Sequence, residues 1–112
     1  KELIYRPTTV EIVIGKAVGK GVVHSLGYRT LLLATPGHTV APATRLSVRF
    51  PIPLKGRIIT LDLHCNITSA SPMSDRNAVS YDLQLDSVGN EPAPGLWRRW
   101  VKHLLDKRAF SN

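Results

Sequence analysis

The 112-residue sequence contains one cysteine and no long hydrophobic run. Because Cys65 has no second cysteine to pair with, an internal disulfide bond is excluded. No apolar stretch approaches the roughly 18 residues that would span a bilayer, and no signal-peptide-like apolar segment opens the sequence. These absences favour a single small globular domain, which we expect to work in a reducing cytoplasm.

Acidic and aromatic residues are also scarce. Eight Asp and Glu residues against fifteen Lys and Arg residues leave a net charge of +7, and aromatic residues make up 6% of the sequence. A basic chain favours anionic partners, namely nucleotides, nucleic acid, an acidic protein or an anionic membrane surface. The aromatic residues do not alternate with basic residues along one strand face, as a platform for stacking bases requires. Nucleic-acid binding is therefore the weaker alternative.

Patterns typical of catalysis or metal binding are missing as well. The four histidines do not stand at metal-ligand spacings, and no glycine-rich phosphate loop leads into a helix. Cys65 lies in phase with the apolar positions of its segment, which predicts a core residue rather than a nucleophile. The sequence therefore predicts no enzyme, no metal site and no tightly bound cofactor. The histidines are His24, His38, His64 and His103.

What the sequence does contain is a series of short segments in which apolar and polar residues alternate. Period-two alternation of this kind predicts β-strands with one buried face. Such strands need a second layer or closure into a ring to cover their edges, which predicts a six-stranded antiparallel β-barrel. Prolines in residues 51–56 are expected to end the fourth strand, because proline lacks the N–H that a central strand donates. The predicted strands are residues 9–14, 22–26, 30–35, 45–50, 57–68 and 79–88.

The last segment changes to a helical period. Residues 96–110 place both tryptophans on one apolar stripe and basic residues on the opposite face. This amphipathic helix could cap the barrel, bind a partner or a second copy of the chain, or lie on anionic lipid, the last being the weakest interpretation. We divide the chain into a barrel, residues 1–92, and a helix, residues 93–112, that packs on the barrel or on a partner. The candidate partner surface is Trp97, Trp100 and Leu104.

The order of these parts resembles a known family. The sequence "YRP" (5–7) leads into the first strand, a strand–turn–strand follows near residue 25, and "TRLSVRFPIP" (44–53) precedes two further strands and the helix. This arrangement is similar to the PilZ domain, a bacterial module best known as a receptor for cyclic diguanylate (c-di-GMP). The resemblance covers about residues 4–90 and implies a PilZ-like barrel with an appended helix.

In the PilZ family two motifs hold the dinucleotide, an R-x-x-x-R before the first strand and a [D/N]-x-S-x-x-G after the second. Arg6 matches the second arginine of the first motif, whereas Glu2 stands at the position of the first arginine. Ser25, Gly27 and Thr30 stand where the second motif has Asp or Asn, Ser, and Gly. The resemblance therefore implies weak binding of c-di-GMP.

Arg29 adds a cation to the same turn. The candidate ligand-binding residues are thus Arg6, Ser25, Gly27 and Arg29. The resemblance implies a non-enzymatic bacterial signalling adaptor that acts by protein–protein interaction in motility, pilus or exopolysaccharide control. The alternatives are a c-di-GMP receptor with a divergent arginine site and a small basic barrel that binds nucleic acid.

Overall fold

The computed structural model describes residues 3–37, 43–73, 77–86 and 93–110, which form six strands followed by one helix. This order confirms the mainly β fold with a C-terminal helix that the sequence predicts. The strands are β1 (Ile4–Ile14), β2 (Ala17–Leu26), β3 (Thr30–Pro36), β4 (Arg45–Leu54), β5 (Arg57–Met73) and β6 (Ala78–Leu85). The helix is α1 (Ala93–Phe110).

The strands close into a barrel in the order β1-β2-β3-β6-β5-β4, with antiparallel neighbours throughout. The closing contact between β1 and β4 is short and extends only from Glu11 opposite Arg49 to Val13 opposite Ser47. In the described residues, the first half of β1 therefore pairs with β2 but not with β4. That half of β1 contains Arg6.

The fourth strand is longer than the sequence predicts. It continues through Pro51 and Pro53 to Leu54, with Pro51 opposite Thr60 and Pro53 opposite Ile58 of β5. Proline is tolerated on a strand edge that carries no ladder. Because β4 pairs here with β5 but not with β1, the missing N–H groups break no described hydrogen bond.

Other boundaries also move outward from their predicted positions. Strand β2 begins at Ala17 rather than at residue 22, and β5 continues to Met73 rather than ending at residue 68. The pairing of β5 with β6 continues from Ser69 to Met73. The backbone hydrogen bonds of a ladder form whether the side chains are polar or apolar, so the serines do not end the strand. Helix α1 begins at Ala93, three residues before the amphipathic period starts at residue 96, because a proline such as Pro94 is well tolerated in a first turn.

The core is one cluster that combines inward-facing residues of all six strands with one face of α1. Cys65 is fully buried in it, which confirms its predicted place, and burial raises the pKa of its thiol to about 12. Strands β2 and β3 approach closely at Gly21, where a Cβ atom would lie 2.8 Å from the carbonyl oxygen of Ala34. The largest fully buried side chains are Trp97, Tyr81, Phe50, Leu26, Leu33 and Leu83.

Candidate functional site at the β2–β3 turn

Helix α1 is anchored on the turn between β2 and β3. The Trp97 side chain is 1% exposed, and its Nε1–H donates a hydrogen bond to the carbonyl oxygen of Gly27 at 3.1 Å. Its ring packs edge-on against Phe50, with the ring centroids 4.9 Å apart. The Gly27 N–H donates in turn to the carbonyl oxygen of Thr30 at 2.9 Å. The turn and the helix therefore form one packed unit.

The register of β1 brings Arg6 next to this turn. Tyr5 lies opposite Ser25, and the pairing with β2 shifts between Tyr5 and Thr8. Arg6 is exposed, and its guanidinium carbon lies 5.7 Å from the centroid of the Trp100 ring on α1. This separation is within the range of cation–π attraction. A strand residue matched to the family motif is thus in contact with the C-terminal helix.

Trp100 occupies an unusual position on α1. It is half-buried against the core, and its ring stacks on His103 with the centroids 5.7 Å apart and the planes 24° apart. Its Nε1 atom is buried and has no hydrogen-bond acceptor among the described residues. A buried N–H without an acceptor typically costs about 1–3 kcal/mol. Packing rather than a hydrogen bond therefore holds the Trp100 ring.

Two arginines beside the turn have no carboxylate partner within the described ranges. Arg6 and Arg29 take part in none of the ion pairs found there. The Arg29 backbone carbonyl accepts a hydrogen bond from the Leu85 N–H, which fixes the backbone while the side chain remains exposed. Both guanidinium groups are therefore available to an anion. The ion pairs are Arg45–Asp86 at 2.6 Å, Arg49–Glu11 and Lys102–Asp106 at 3.0 Å.

Two further residues at the site were not identified from the sequence. The Tyr5 ring is 74% exposed and stacks on His24, with the centroids 6.4 Å apart. His24 also lines a cavity of about 350 Å³ that extends along β3 to Pro36, away from the turn. The sequence pattern could have indicated the position of His24. Val23 is buried, and side chains alternate along a strand, so His24 next to it must face outward.

The predicted ligand-binding residues fall into two groups. Arg6 is exposed beside the turn, Arg29 is exposed within it, and Ser25 is half-buried near the end of β2. Gly27 is buried beneath α1, and both of its backbone polar groups are bonded within the chain. Glu2, which stands at the position of the first family arginine, lies outside the described residues. The structure thus exposes the two arginines and covers the glycine.

The predicted partner residues lie mainly inside this chain. Trp97 and Leu104 are 1% and 7% exposed and belong to the barrel core, whereas Trp100 is half-buried. The apolar stripe of α1 therefore packs on the barrel of its own chain. The opposite face of α1 is exposed and carries Arg98, Arg99, Lys102 and His103. Asp106 accepts a hydrogen bond from Lys102, which raises the pKa of Lys102.

Neither a cluster of metal-ligating side chains nor a membrane-spanning helix is found in the described part of the chain. No group of three or more His, Cys, Asp or Glu side chains is placed there to hold a metal ion. His64, for example, shares a hydrogen bond with Ser47, Nδ1 to Oγ 3.1 Å. Within the same ranges, no helix combines the length and the apolar character needed to cross a membrane.

Comparison with known proteins supports the fold. No family model matches the sequence, and no curated protein matches it. Among solved structures, Borreliella burgdorferi PlzA in complex with c-di-GMP is 23% identical with a TM-score of 0.64, and the match covers 99% of this chain and 52% of PlzA. The Bacillus subtilis inhibitor of motility, MotI/DgrA, is 9% identical with a TM-score of 0.69, and the match covers 95% of this chain and 51% of that protein.

These likenesses show a PilZ-like fold, in agreement with the order of strands and the helix. The chain spans about half the length of each of the two proteins. At these levels of sequence identity the likeness extends to the fold alone. A functional conclusion must therefore rest on the arginines, the turn and the helix of this chain.

Proposed function

We propose that this chain is a non-catalytic signalling adaptor of PilZ type, which acts by contacting another protein in the control of bacterial motility, pili or exopolysaccharide. The observation that carries the proposal is the hydrogen bond between Trp97 and Gly27, which seals α1 onto the turn. The pathway is the one that the PilZ resemblance implies, and a protein described as an inhibitor of motility shares the fold.

The closed turn favours protein contact over a ligand-dependent role. Gly27 is buried and bonded on both sides, so a ligand has less backbone to approach there. The anchored helix meanwhile presents Arg98, Arg99 and Lys102 to solvent. A rigid basic surface of this kind complements an acidic surface on another protein, which speeds encounter and fixes the partner's orientation.

Site-specific photo-crosslinking in the native host tests the adaptor function. A photo-reactive amino acid at Arg99 of α1 should give one dominant protein adduct. The same amino acid at the exposed Arg57, which begins β5, should not give that adduct. Charge reversal by Arg98→Glu should remove the adduct at Arg99 without unfolding the chain. The absence of any adduct specific to α1 would overturn the proposal.

A second candidate function is a c-di-GMP receptor with a divergent arginine site. Two observations favour it: Arg6 and Arg29 are exposed without a described carboxylate partner, and PlzA was solved in complex with c-di-GMP. Guanidinium groups bind phosphates through paired N–H donors and stack on bases. The two arginines would provide the phosphate contacts in this receptor.

We expect this binding to be weak. Glu2 replaces one family arginine, and the turn residues Ser25, Gly27 and Thr30 differ from the family motif. Loss of two charged contacts at about 1.5–3 kcal/mol each weakens a sub-micromolar site about a hundredfold or more. Calorimetric titration should therefore give a Kd no lower than high micromolar. Saturation at low micromolar c-di-GMP would contradict this expectation and favour the receptor function.

Arginine substitutions locate the site. Arg6→Ala and Arg29→Ala should each weaken c-di-GMP binding about tenfold, because each removes a charged fork from the phosphates. Arg57→Ala is the matched control, because it removes an exposed cation from the β4–β5 hairpin. Unchanged affinity in both of the first two variants would remove the turn from consideration as a ligand site.

A further inference from the structure

The side chain of Arg6 has few constraints other than its contact with α1. It lies where the pairing of β1 with β2 shifts, and in the half of β1 that does not pair with β4 in the described residues. It is exposed and forms no ion pair with a described residue. A long side chain in such a place loses considerable rotamer freedom when it binds a ligand. The contact with Trp100 restricts that freedom before any ligand arrives.

The contact with Trp100 also leaves Arg6 able to bind an anion. A guanidinium group rests on an aromatic ring through its charge and its planar face, whereas it binds phosphate through N–H groups at its edge. The two interactions therefore use different parts of the group. An arginine that is already held by an aromatic ring binds an anion at a lower entropic cost than a free one.

The position of the Trp100 indole group should in turn be sensitive to what Arg6 binds. Its buried Nε1–H has no acceptor among the described residues, so its position depends on packing against Arg6, His103 and the core. The indole of Trp97, by contrast, is fixed by its hydrogen bond to Gly27. An anion bound at Arg6 should therefore perturb Trp100 while Trp97 keeps its position.

From these contacts we propose that Trp100 is a positioning residue for Arg6, so that helix α1 forms part of the anion-binding site at the turn. The ligand class is a phosphate-bearing anion, and the inference rests on the second candidate function above. Trp100 holds the guanidinium group where its N–H edge meets a phosphate. Removal of the ring lets Arg6 move and lowers the affinity for the anion.

Two-dimensional ¹H–¹⁵N NMR tests the proposal directly. The sequence contains two tryptophans, so the spectrum contains two indole N–H signals, which Trp100→Phe assigns by removing one. Titration with c-di-GMP and, separately, with inorganic pyrophosphate follows binding into the millimolar range. The Trp100 signal should shift in a saturable manner with a larger amplitude than the Trp97 signal. Response to both probes indicates phosphate recognition, whereas response to c-di-GMP alone indicates recognition of the dinucleotide.

A double-mutant cycle separates positioning from a general structural effect. Trp100→Leu should weaken binding about five- to tenfold, and Trp100→Phe, which keeps an aromatic face, less than threefold. The double variant Arg6→Ala/Trp100→Leu should bind no more weakly than Arg6→Ala alone. Arg57→Ala removes an exposed cation from the β4–β5 hairpin and should change the affinity less than twofold. Each variant is first checked by its thermal melt.

The outcomes distinguish the positioning role of Trp100 from the receptor function on which it rests. Anion binding that Trp100→Leu leaves unchanged or strengthens would overturn the positioning role and leave the receptor candidate intact. Additive effects in the double-mutant cycle would likewise overturn positioning. The absence of saturable binding of either probe to the wild-type chain would overturn the receptor candidate and this inference together.

Discussion

Replacement of Trp97 by alanine should destabilise this chain more than any substitution on the exposed face of α1. The side chain is 1% exposed, packs edge-on against Phe50 and donates a hydrogen bond to Gly27. Truncation of a buried tryptophan to alanine typically costs about 3–5 kcal/mol. A domain of this length has an unfolding free energy of roughly 6–17 kcal/mol at 0.05–0.15 kcal/mol per residue. Trp97→Ala should therefore remove a large fraction of the unfolding free energy.

The melting temperature gives the simplest measure of this loss. At about 4 °C per kcal/mol, Trp97→Ala should lower the Tm by roughly 12–20 °C. Trp97→Phe separates the two contributions, because it keeps an aromatic ring against Phe50 and removes the donor to Gly27. It should cost about 1–3 kcal/mol, since the buried carbonyl oxygen then lacks its partner.

Trp100→Ala is the matched control for Trp97→Ala. Trp100 is half-buried and its Nε1–H bonds to no described acceptor, so its truncation removes less buried surface and no described hydrogen bond. The Tm of Trp100→Ala should therefore fall by less than half the decrease seen in Trp97→Ala. Equal decreases in the two variants would refute the conclusion that Trp97 anchors α1 more strongly than Trp100 does.

Three further measurements test the barrel. Gly21→Ala should destabilise the chain by about 1–3 kcal/mol in denaturant melts, because the new Cβ atom would lie 2.8 Å from the Ala34 carbonyl oxygen. Gly19→Ala is the control: its nearest contact is at 3.9 Å, so its unfolding free energy should change by less than about 0.5 kcal/mol. The Cys65 thiol should resist alkylation below pH 10 until the chain unfolds, because its pKa is raised to about 12. Since the unfolded thiol ionises near pH 9.0 and the folded one near 12, stability should fall as the pH rises through this window, and Cys65→Ala should remove that part of the fall. Glu11→Gln should change the unfolding free energy by less than about 1 kcal/mol in urea melts, because the Arg49–Glu11 pair is exposed.

The strands could be predicted because their inward-facing residues alternate in the sequence. Leu46, Val48 and Phe50 are all buried, as the period-two pattern requires. The ends of the strands could not be predicted in the same way, because they depend on which neighbour forms a ladder. Pro53 lies in β4 since that part of the strand pairs on one side, and this asymmetry is a property of the closed barrel rather than of the local sequence.

The candidate site was predictable in its parts but not in its arrangement. The family resemblance selected Arg6 and the turn residues, and the helical period selected both tryptophans. The contacts between these parts join residues far apart in the chain, such as Trp97 and Gly27, which are 70 positions apart. No local pattern specifies such a contact. Burial of Gly27 beneath a helix therefore became apparent only from the packed structure.

These long-range contacts join the β2–β3 turn and helix α1 in one packed unit. Trp97 fixes α1 to Gly27, and Trp100 contacts Arg6 one helical turn later. The exposed Arg99 and Lys102 lie on the same helix, so a protein that binds them acts on the element that holds Arg6. If binding tilts α1 about its Trp97 anchor, the contact between Trp100 and Arg6 changes. Linkage then requires that an anion at Arg6 alters the affinity for the protein by the same factor as the protein alters the affinity for the anion. In that case the adaptor and receptor functions proposed above would be coupled through α1 rather than mutually exclusive.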